Sequence, residues 1–196
     1  MSATLHRRDV VRELLEARGG LLVVAGLGSS AWDTAAAGDH ELTFPLWGAM
    51  GLAAMTGLGL ALARPERRVL VVTGDGEMLM GLGSLATVGV QKPANLSIVV
   101  LDNERYGETG MQATHTARGV DLAAVARGCG FSDARTLTRG DELRALRQAI
   151  HASQGPVFAA VKIVAEKLPL VLPPRDGALL KARFRRALLG AAADLQ

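Results

Sequence analysis

Residues 71–79, VVTGDGEML, set an acid between two glycines directly after a hydrophobic run. Gly74 and Gly76 allow backbone dihedrals that other residues avoid and let the chain approach a ligand closely. A carboxylate on such a turn, here Asp75, can bind a metal ion, cap a helix or fill the turn. The surrounding sequence has to select among these.

The run feeding that turn, RRVLVVTGDG (67–76), reads as a buried strand. Three similar runs are GGLLVVAGLGSS (19–30), NLSIVVLDNERYG (95–107) and GPVFAAVKI (155–163). Between them lie helical patterns: residues 8–18 with Val10, Val11, Leu14 and Leu15 at helical spacing, then 42–63, 77–91, 120–131 and 141–153. Continuous apolar strands alternating with helices predict an α/β fold, a parallel sheet with helices on both faces. The chain shows no internal repeat and no linker before KLPLVLPPRDG (167–177). One domain over 1–196 is expected, its core at about 20–165 and a helical extension over 166–196.

Composition excludes several classes. Hydrophobic residues make up 49% against 4% aromatic, and the 23 glycines suit a sheet packed with Ala, Val and Leu rather than a disordered chain. A formal charge of +3 without a dense basic block argues against nucleic-acid binding. Cys129 is alone, which rules out an intrachain disulfide and suits a packed thiol in a reducing compartment. The first 20 residues carry charges throughout and lack the apolar core of a signal peptide, so the cytoplasm is expected. From Leu42 to Ala63 there are 22 residues without a formal charge, long enough to span a bilayer. That stretch holds Pro45 and glycines at 48, 51, 57 and 59, and Gly51, Ala54, Gly57 and Leu58 recur at helical spacing. A buried small-residue helix in close contact with a neighbour is the better reading, with no membrane span.

Three strand ends carry glycine or polar residues: GLGSS, GDGE and DNERYG. In open parallel sheets ligands gather where such ends meet. AGLGSSA (25–31) matches a loose dinucleotide fingerprint, but the acid expected about 20 residues on, at a second strand end, is missing. Asp33, Asp39 and Glu41 fall where no strand pattern exists. The turn can instead cradle phosphate through backbone N–H groups, with Ser29 and Ser30 adding donors. Asp75 and Asn103 stand apart by one crossover helix and an adjacent strand, which brings both to neighbouring strand ends. A carboxylate, an amide oxygen and phosphate oxygens make the hard oxygen shell Mg²⁺ prefers. Taken singly, each residue is as well explained by an N-cap or a turn.

GDG, a helix, then LDNERYG resembles the thiamine-diphosphate-binding motif of the 2-oxo acid decarboxylase superfamily. The run WGAMGLAAMTGLGLALARPERRVLVVTGDGEMLMGLGSLATVG is similar to the cofactor domain of its phosphonopyruvate and sulfopyruvate decarboxylases, over about residues 20–165. The motif is specific for the cofactor and much less so for the substrate. The resemblance implies that Asp75 and Asn103 give side-chain oxygens to Mg²⁺ and Arg105 its backbone carbonyl. It implies that Gly76 and Glu77 lie against the diphosphate, with Gly28 and Ser29 on its far side. Gly74, Tyr106 and Gly107 belong to the same cofactor-binding set. Gly48 accepts from the aminopyrimidine through its carbonyl, and Met50 wedges between the two rings, a task suited to a flexible apolar side chain that would otherwise read as core. Many relatives carry Ser or Ala at the position of Glu77, so its carboxylate is expected to point away from the diphosphate. Ser84 stands where an acid is usual before LAT.

Enzymes of this superfamily build each site from two domains, and the second grips the pyrimidine and supplies a glutamate. Within 196 residues only the diphosphate-binding half is expected. The resemblance thus implies the β subunit of a split decarboxylase for a small 2-oxo acid. A pyrimidine-binding α subunit would complete the site in an α2β2 or larger hetero-oligomer. The segment 104–119 is expected over the site, with Gln112 and His115 as substrate or proton-transfer contacts, although His115 reads equally well as a surface histidine. His6, His40 and His151 lie in no motif. Two rivals are another thiamine-diphosphate reaction, carboligation or oxidation, and a non-catalytic module that keeps the pocket for assembly. The absence of a Cys cluster disfavours a ferredoxin-linked oxidoreductase.

Overall fold

A computed structural model describes residues 4–152 and 154–195. Residues 1–3, Ser153 and Gln196, which belong to the expected domain and to the 141–153 helix, lie outside the described residues. The chain runs α1 (Arg7–Leu15), β1 (Leu22–Ala25), α2 (Ser29–Ala36), β2 (Thr43–Pro45), α3 (Ala53–Ala63), β3 (Val69–Gly74), α4 (Asp75–Met80) and α5 (Ser84–Gln91). It continues with β4 (Leu96–Asp102), β5 (Arg105–Tyr106), β6 (Gln112–Ala113), a 3-10 turn (His115–Arg118), α6 (Leu122–Gly128) and β7 (Asp133–Leu137). A short 3-10 turn leads into α7 (Leu143–Ala152), then come β8 (Val157–Lys162) and α8 (Gly177–Leu189).

Six strands form one sheet in the order β2-β1-β3-β4-β8-β7. Every pairing in it is parallel. Parallel neighbours need a crossover, and the helices that supply it cover both faces, so β1 and β4 are buried throughout and β3 and β8 in all but their last residue. The period of two sorts their side chains. Leu22, Val24, Val71, Ile98, Val100 and Phe158 face the layer built from α3, α5 and α6. Val23, Leu70, Val72, Val99, Leu101 and Val161 face α1 and α7.

Two strands of the six-stranded sheet were not legible as such. β2 lies inside the uncharged stretch expected to be one helix; Pro45 and the glycines stop the helix short, and α3 begins only at Ala53. As an edge strand of three residues, β2 needs little β-propensity of its own. β7, with the sequence DARTL, is largely half-exposed at the other edge and lacks an apolar run. The segment 77–91, expected as a single helix, breaks into α4 and α5 at Gly81–Gly83.

No helix among the described residues is long and apolar enough to cross a membrane. The α3 helix instead packs on the sheet through its small residues. A Cβ on Gly57 would lie 2.2 Å from Cγ2 of Val71, so only glycine permits this approach. Gly59 points the other way, with nothing within 4 Å of where its Cβ would be. Beyond β8 the chain runs without regular structure to α8, which docks at the β2 edge through Phe184, whose ring meets Phe44 edge-on at 5.6 Å.

Opposite outcomes are expected for two changes within one helix. Gly57→Ala should destabilise the chain by roughly 1–3 kcal/mol, because overpacking a closed core outweighs the helix-propensity gain. Gly59→Ala should stabilise it by about 0.5–1 kcal/mol, with propensity alone at work. Urea unfolding of the two variants measures both, and stabilisation by Gly57→Ala would contradict the close packing.

Candidate active site

The strand order reverses between β1 and β3: from β1 the chain passes to the edge strand β2, and then re-enters on β1's other side as β3. Ligands of open parallel sheets bind at that crevice, beyond the carboxyl ends of the strands. A cavity of about 220 Å³ opens there. Leu27 and Ser29 line it from the end of β1, Gly74, Asp75, Gly76 and Glu77 from the end of β3, and Asn103, Arg105, Tyr106, Gly107, Glu108 and Thr109 from beyond β4, with Met50 at its mouth. An adjoining cleft of about 240 Å³ shares Ser29, Asn103, Gly107 and Glu108 and runs on to Arg7, Trp32 and Glu166. Gly28 and Gly48 are not among the residues that line the cavity; both have positive φ, +73° and +68°.

Asp75 sits at the strand–helix junction, only 2% exposed. Its Oδ2 accepts from the Thr114 hydroxyl at 2.6 Å and from the Thr116 hydroxyl at 3.3 Å. Burial pushes the Asp75 carboxyl up to about 6, the nearby charge of Asp102 adds to this, and the Thr114 and Thr116 hydroxyls oppose it. A buried carboxylate held above its ordinary range gains most from a cation placed beside it.

Asn103 opens a tight turn, its Oδ1 accepting from the Arg105 N–H at 2.9 Å. An amide oxygen has a second lone pair, so that bond leaves acceptor capacity. Glu104, between them, takes the left-handed conformation at φ +60°, costly for a residue with a Cβ. The strain is held by three contacts: Glu104 N–H to Asp102 Oδ1 at 3.1 Å, Lys162 Nζ to Glu104 Oε1 at 2.8 Å, and Thr114 N–H to the Glu104 carbonyl at 3.1 Å. The turn therefore delivers Asn103 and Arg105 to the cavity in a fixed form. Tyr106 closes over Gly76, whose Cβ would stand 2.7 Å from the ring.

Glu77 lines the cavity, but its carboxylate turns toward the strand ends. Its Oε2 accepts from the Thr73 hydroxyl at 2.7 Å and the Leu27 N–H at 3.1 Å. Burial raises its pKa, opposed by those bonds and by the N–H groups of Gly51 and Ala53. One side chain thus ties the β1 turn to the end of β3.

Gln112 and His115 were expected to face substrate, and the structure places both outside the lining of this cavity. Residues 105–113 fold back as a two-stranded hairpin, and neither side chain reaches the cavity lining. Gln112 is exposed and bonds within its own turn, its Nε2 donating to the Thr109 carbonyl at 2.9 Å and its Oε1 accepting from the Thr109 hydroxyl at 3.0 Å. His115 is exposed, between two threonines that point inward. Those threonines, with Thr73, Asp102 and Lys162, are the site residues that sequence reasoning missed. The one available sign was Thr-x-Thr in an otherwise polar loop.

Residues 27–161 match the thiamine pyrophosphate enzyme family in its C-terminal TPP binding domain. The chain is 36% identical over 185 residues to sulfopyruvate decarboxylase subunit beta of Methanocaldococcus jannaschii, covering 93% of this chain and 96% of that one. It is 42% identical over 164 residues to phosphonopyruvate decarboxylase of Streptomyces viridochromogenes, covering 83% of this chain but 41% of the relative. The crystal structure of benzoylformate decarboxylase from Polynucleobacter necessarius shares the fold, with a TM-score of 0.69 over 85% of this chain and 34% of that one, at 21% identity. By its matched domain and by a relative aligned almost end to end, the chain belongs to the thiamine pyrophosphate enzyme family.

Proposed function

We propose that the chain is the diphosphate-binding β subunit of a split, cytoplasmic decarboxylase dependent on thiamine diphosphate and Mg²⁺. Its substrate would be a small 2-oxo acid such as sulfopyruvate or phosphonopyruvate, released as the aldehyde and CO₂. The observation that carries this reading is the pattern of coverage. The relative named a β subunit is matched over 96% of its length, whereas the phosphonopyruvate decarboxylase is matched over only 41%. The rest of that longer chain has no counterpart here, and a separate pyrimidine-binding α subunit would supply it.

The surface beside the cavity supports such a partner. Leu52, Met55 and Met80 stand 55%, 38% and 68% exposed. With Met50, Gly51, Gly81, Gly83, Ser84 and Thr87 they line a shallow groove without an ionisable residue. Met50 lines both this groove and the cavity. A protein seated there would reach the cofactor cavity, and exposed apolar surface of this kind marks an interaction site.

The donor set fits the cofactor and cation. Among the described residues no cluster of three His, Cys, Asp or Glu could hold a metal by itself. One buried carboxylate, an amide oxygen and a backbone carbonyl make a partial hard-oxygen shell, which suits a cation shared with phosphates. Asp75, Asn103 and the Arg105 carbonyl would hold Mg²⁺. The backbone N–H groups of Gly76 and Glu77, with Gly28 and Ser29, would hold the diphosphate, with Gly74, Tyr106 and Gly107 as the walls. Met50 and the Gly48 carbonyl would orient the ring portion. When bound, thiamine diphosphate supplies the electron sink for the electrons left by departing CO₂. The chain's residues bind and orient it, and the Tyr106 ring over Gly76 helps keep water from the anchored end.

Replacing Asp75 should move stability and binding in opposite directions. In the metal-free chain the Asp75 pKa of about 6 lies above the unfolded value of 3.8. Its contribution is therefore fully present below pH 3.8 and is lost as pH rises through about 6. Asp75→Asn removes the buried charge and should stabilise the metal-free chain at pH 7 by roughly 1–2 kcal/mol, while abolishing Mg²⁺-dependent cofactor binding. Thermal unfolding and titration calorimetry separate the two effects; unchanged binding would remove Asp75 from the cation shell.

The purified chain alone should release no CO₂ from sulfopyruvate, phosphonopyruvate or pyruvate with Mg²⁺ and thiamine diphosphate, and activity should appear on adding the α subunit. Leu52→Asp with Met80→Glu should prevent assembly while changing the chain's own stability by less than about 1 kcal/mol, as befits exposed positions. Full activity of the isolated chain in a CO₂-release assay would overturn the split site.

A further inference from the structure

Two buried hydroxyls lie where an exposed hairpin meets the strand ends. Thr114 and Thr116 are 1% and 5% exposed, in a segment where Gln112, Ala113 and His115 face solvent. Thr114 occupies the N-cap position of the 3-10 turn that begins at His115, yet its side chain makes no capping bond there. The local use of a threonine hydroxyl at such a position has been given up. A residue that breaks a local preference without local gain marks a site under another demand.

That demand is visible in the contacts. Thr114 Oγ1 donates to Asp75 Oδ2 at 2.6 Å, and Thr116 Oγ1 donates to Asp102 Oδ1 at 2.8 Å. The two hydroxyls touch each other at 2.9 Å, and Thr116 also approaches Asp75 Oδ2 at 3.3 Å. Each hydroxyl owns one proton, so two protons serve two carboxylates at the tips of adjacent strands. Both threonine contacts to Asp75 fall on the same oxygen. The far end of the network is anchored, since Asp102 Oδ2 pairs with Lys162 Nζ at 2.7 Å and Asp102 Oδ1 accepts from the Glu104 N–H.

We propose that Thr114 and Thr116 are positioning residues for the cation site: they hold Oδ2 of Asp75 and so present Oδ1 to the metal. This rests on the reading of Asp75 as a cation ligand. Because both threonines belong to the segment that also carries Tyr106, Gly107 and Glu108 into the cavity lining, the same bonds tie that wall to the metal carboxylate. Cation binding and the order of residues 104–119 are then one event.

The test uses the full-length chain with saturating thiamine diphosphate and Mn²⁺ as the probe, its binding followed by electron paramagnetic resonance. Hydrogen–deuterium exchange of residues 104–119 is recorded with and without the metal, and thermal unfolding checks each variant's fold. Thr114→Val should weaken Mn²⁺ binding at least roughly tenfold, the loss expected for one charge-assisted bond, and remove the metal-induced protection of the segment. Thr114→Ser, which keeps the hydroxyl, should restore both. Thr116→Val should weaken Mn²⁺ binding less than Thr114→Val, since the Thr116 proton goes to Asp102 and Thr116 only approaches Asp75, at 3.3 Å. Wild-type Mn²⁺ affinity in folded Thr114→Val would overturn the positioning role and leave the cofactor reading intact. Loss in the valine and serine variants alike would overturn it too, because the hydroxyl would then not be the cause. No Mn²⁺ binding by the wild-type chain, with or without the α subunit, would instead remove the cation reading on which the proposal rests.

Discussion

Two carboxylates at the ends of neighbouring parallel strands set the terms for everything around them. Asp75 follows the last residue of β3 and Asp102 ends β4, strands in register with Gly74 beside Leu101. Both acids are 2% exposed. Burying two like charges side by side raises the free energy of the folded chain unless each receives donors or a counter-charge. Asp102 receives Lys162, Thr116 and the Glu104 N–H. Among the described residues Asp75 receives hydroxyls and no side-chain cation, and burial, with the nearby charge of Asp102 adding to it, raises its pKa. The asymmetry assigns the roles: Asp102 is a finished structural ion pair, and Asp75 is an unfinished one.

The loops around the cavity follow from that arrangement. To bring donors to Asp75 and Asp102, residues 104–119 must fold back over the sheet end, and the left-handed Glu104 makes the reversal. The reversal places Tyr106 against Gly76, where a Cβ would not fit. Glu77 plays the matching part on the other side, where its carboxylate gathers the N–H of Leu27 and the hydroxyl of Thr73. A Ser or Ala at that position would not reach the β1 turn with a carboxylate. Glu77 therefore acts as a clamp between loops.

The sequence displayed the apolar strands because both faces of a parallel sheet are covered, and short unbroken runs such as LVVA and LSIVVLD suit a strand buried on both sides. It displayed the strand-end motifs because glycine and acid are conspicuous after such runs. It hid β2 and β7, since edge strands bury little and are held in place by tertiary pairing more than by their own composition. It hid the role of Thr114 and Thr116 for a different reason. Their partners lie 39 and 14 residues away in sequence, and a threonine in a polar loop looks the same whether it faces water or a carboxylate. Gln112 and His115 drew notice as chemically richer side chains, but both face solvent, and the buried positions go to Thr114 and Thr116 on either side of His115.

The charge of the cavity explains why the proposed reading needs a cation at all. Among the described residues its charged lining is Asp75, Glu77, Glu108 and Arg105. Arg105 spends one guanidinium N–H on the Glu104 carbonyl at 2.8 Å. Such a lining repels a diphosphate, and backbone N–H groups alone offset only part of that repulsion. Glu77 lessens the problem by turning its carboxylate to the Thr73 hydroxyl and the Leu27 N–H. The remaining repulsion centres on Asp75, and under the proposed reading a divalent ion held by that carboxylate would offset it. Under that reading metal and diphosphate would each complete the site for the other, so neither should bind well alone.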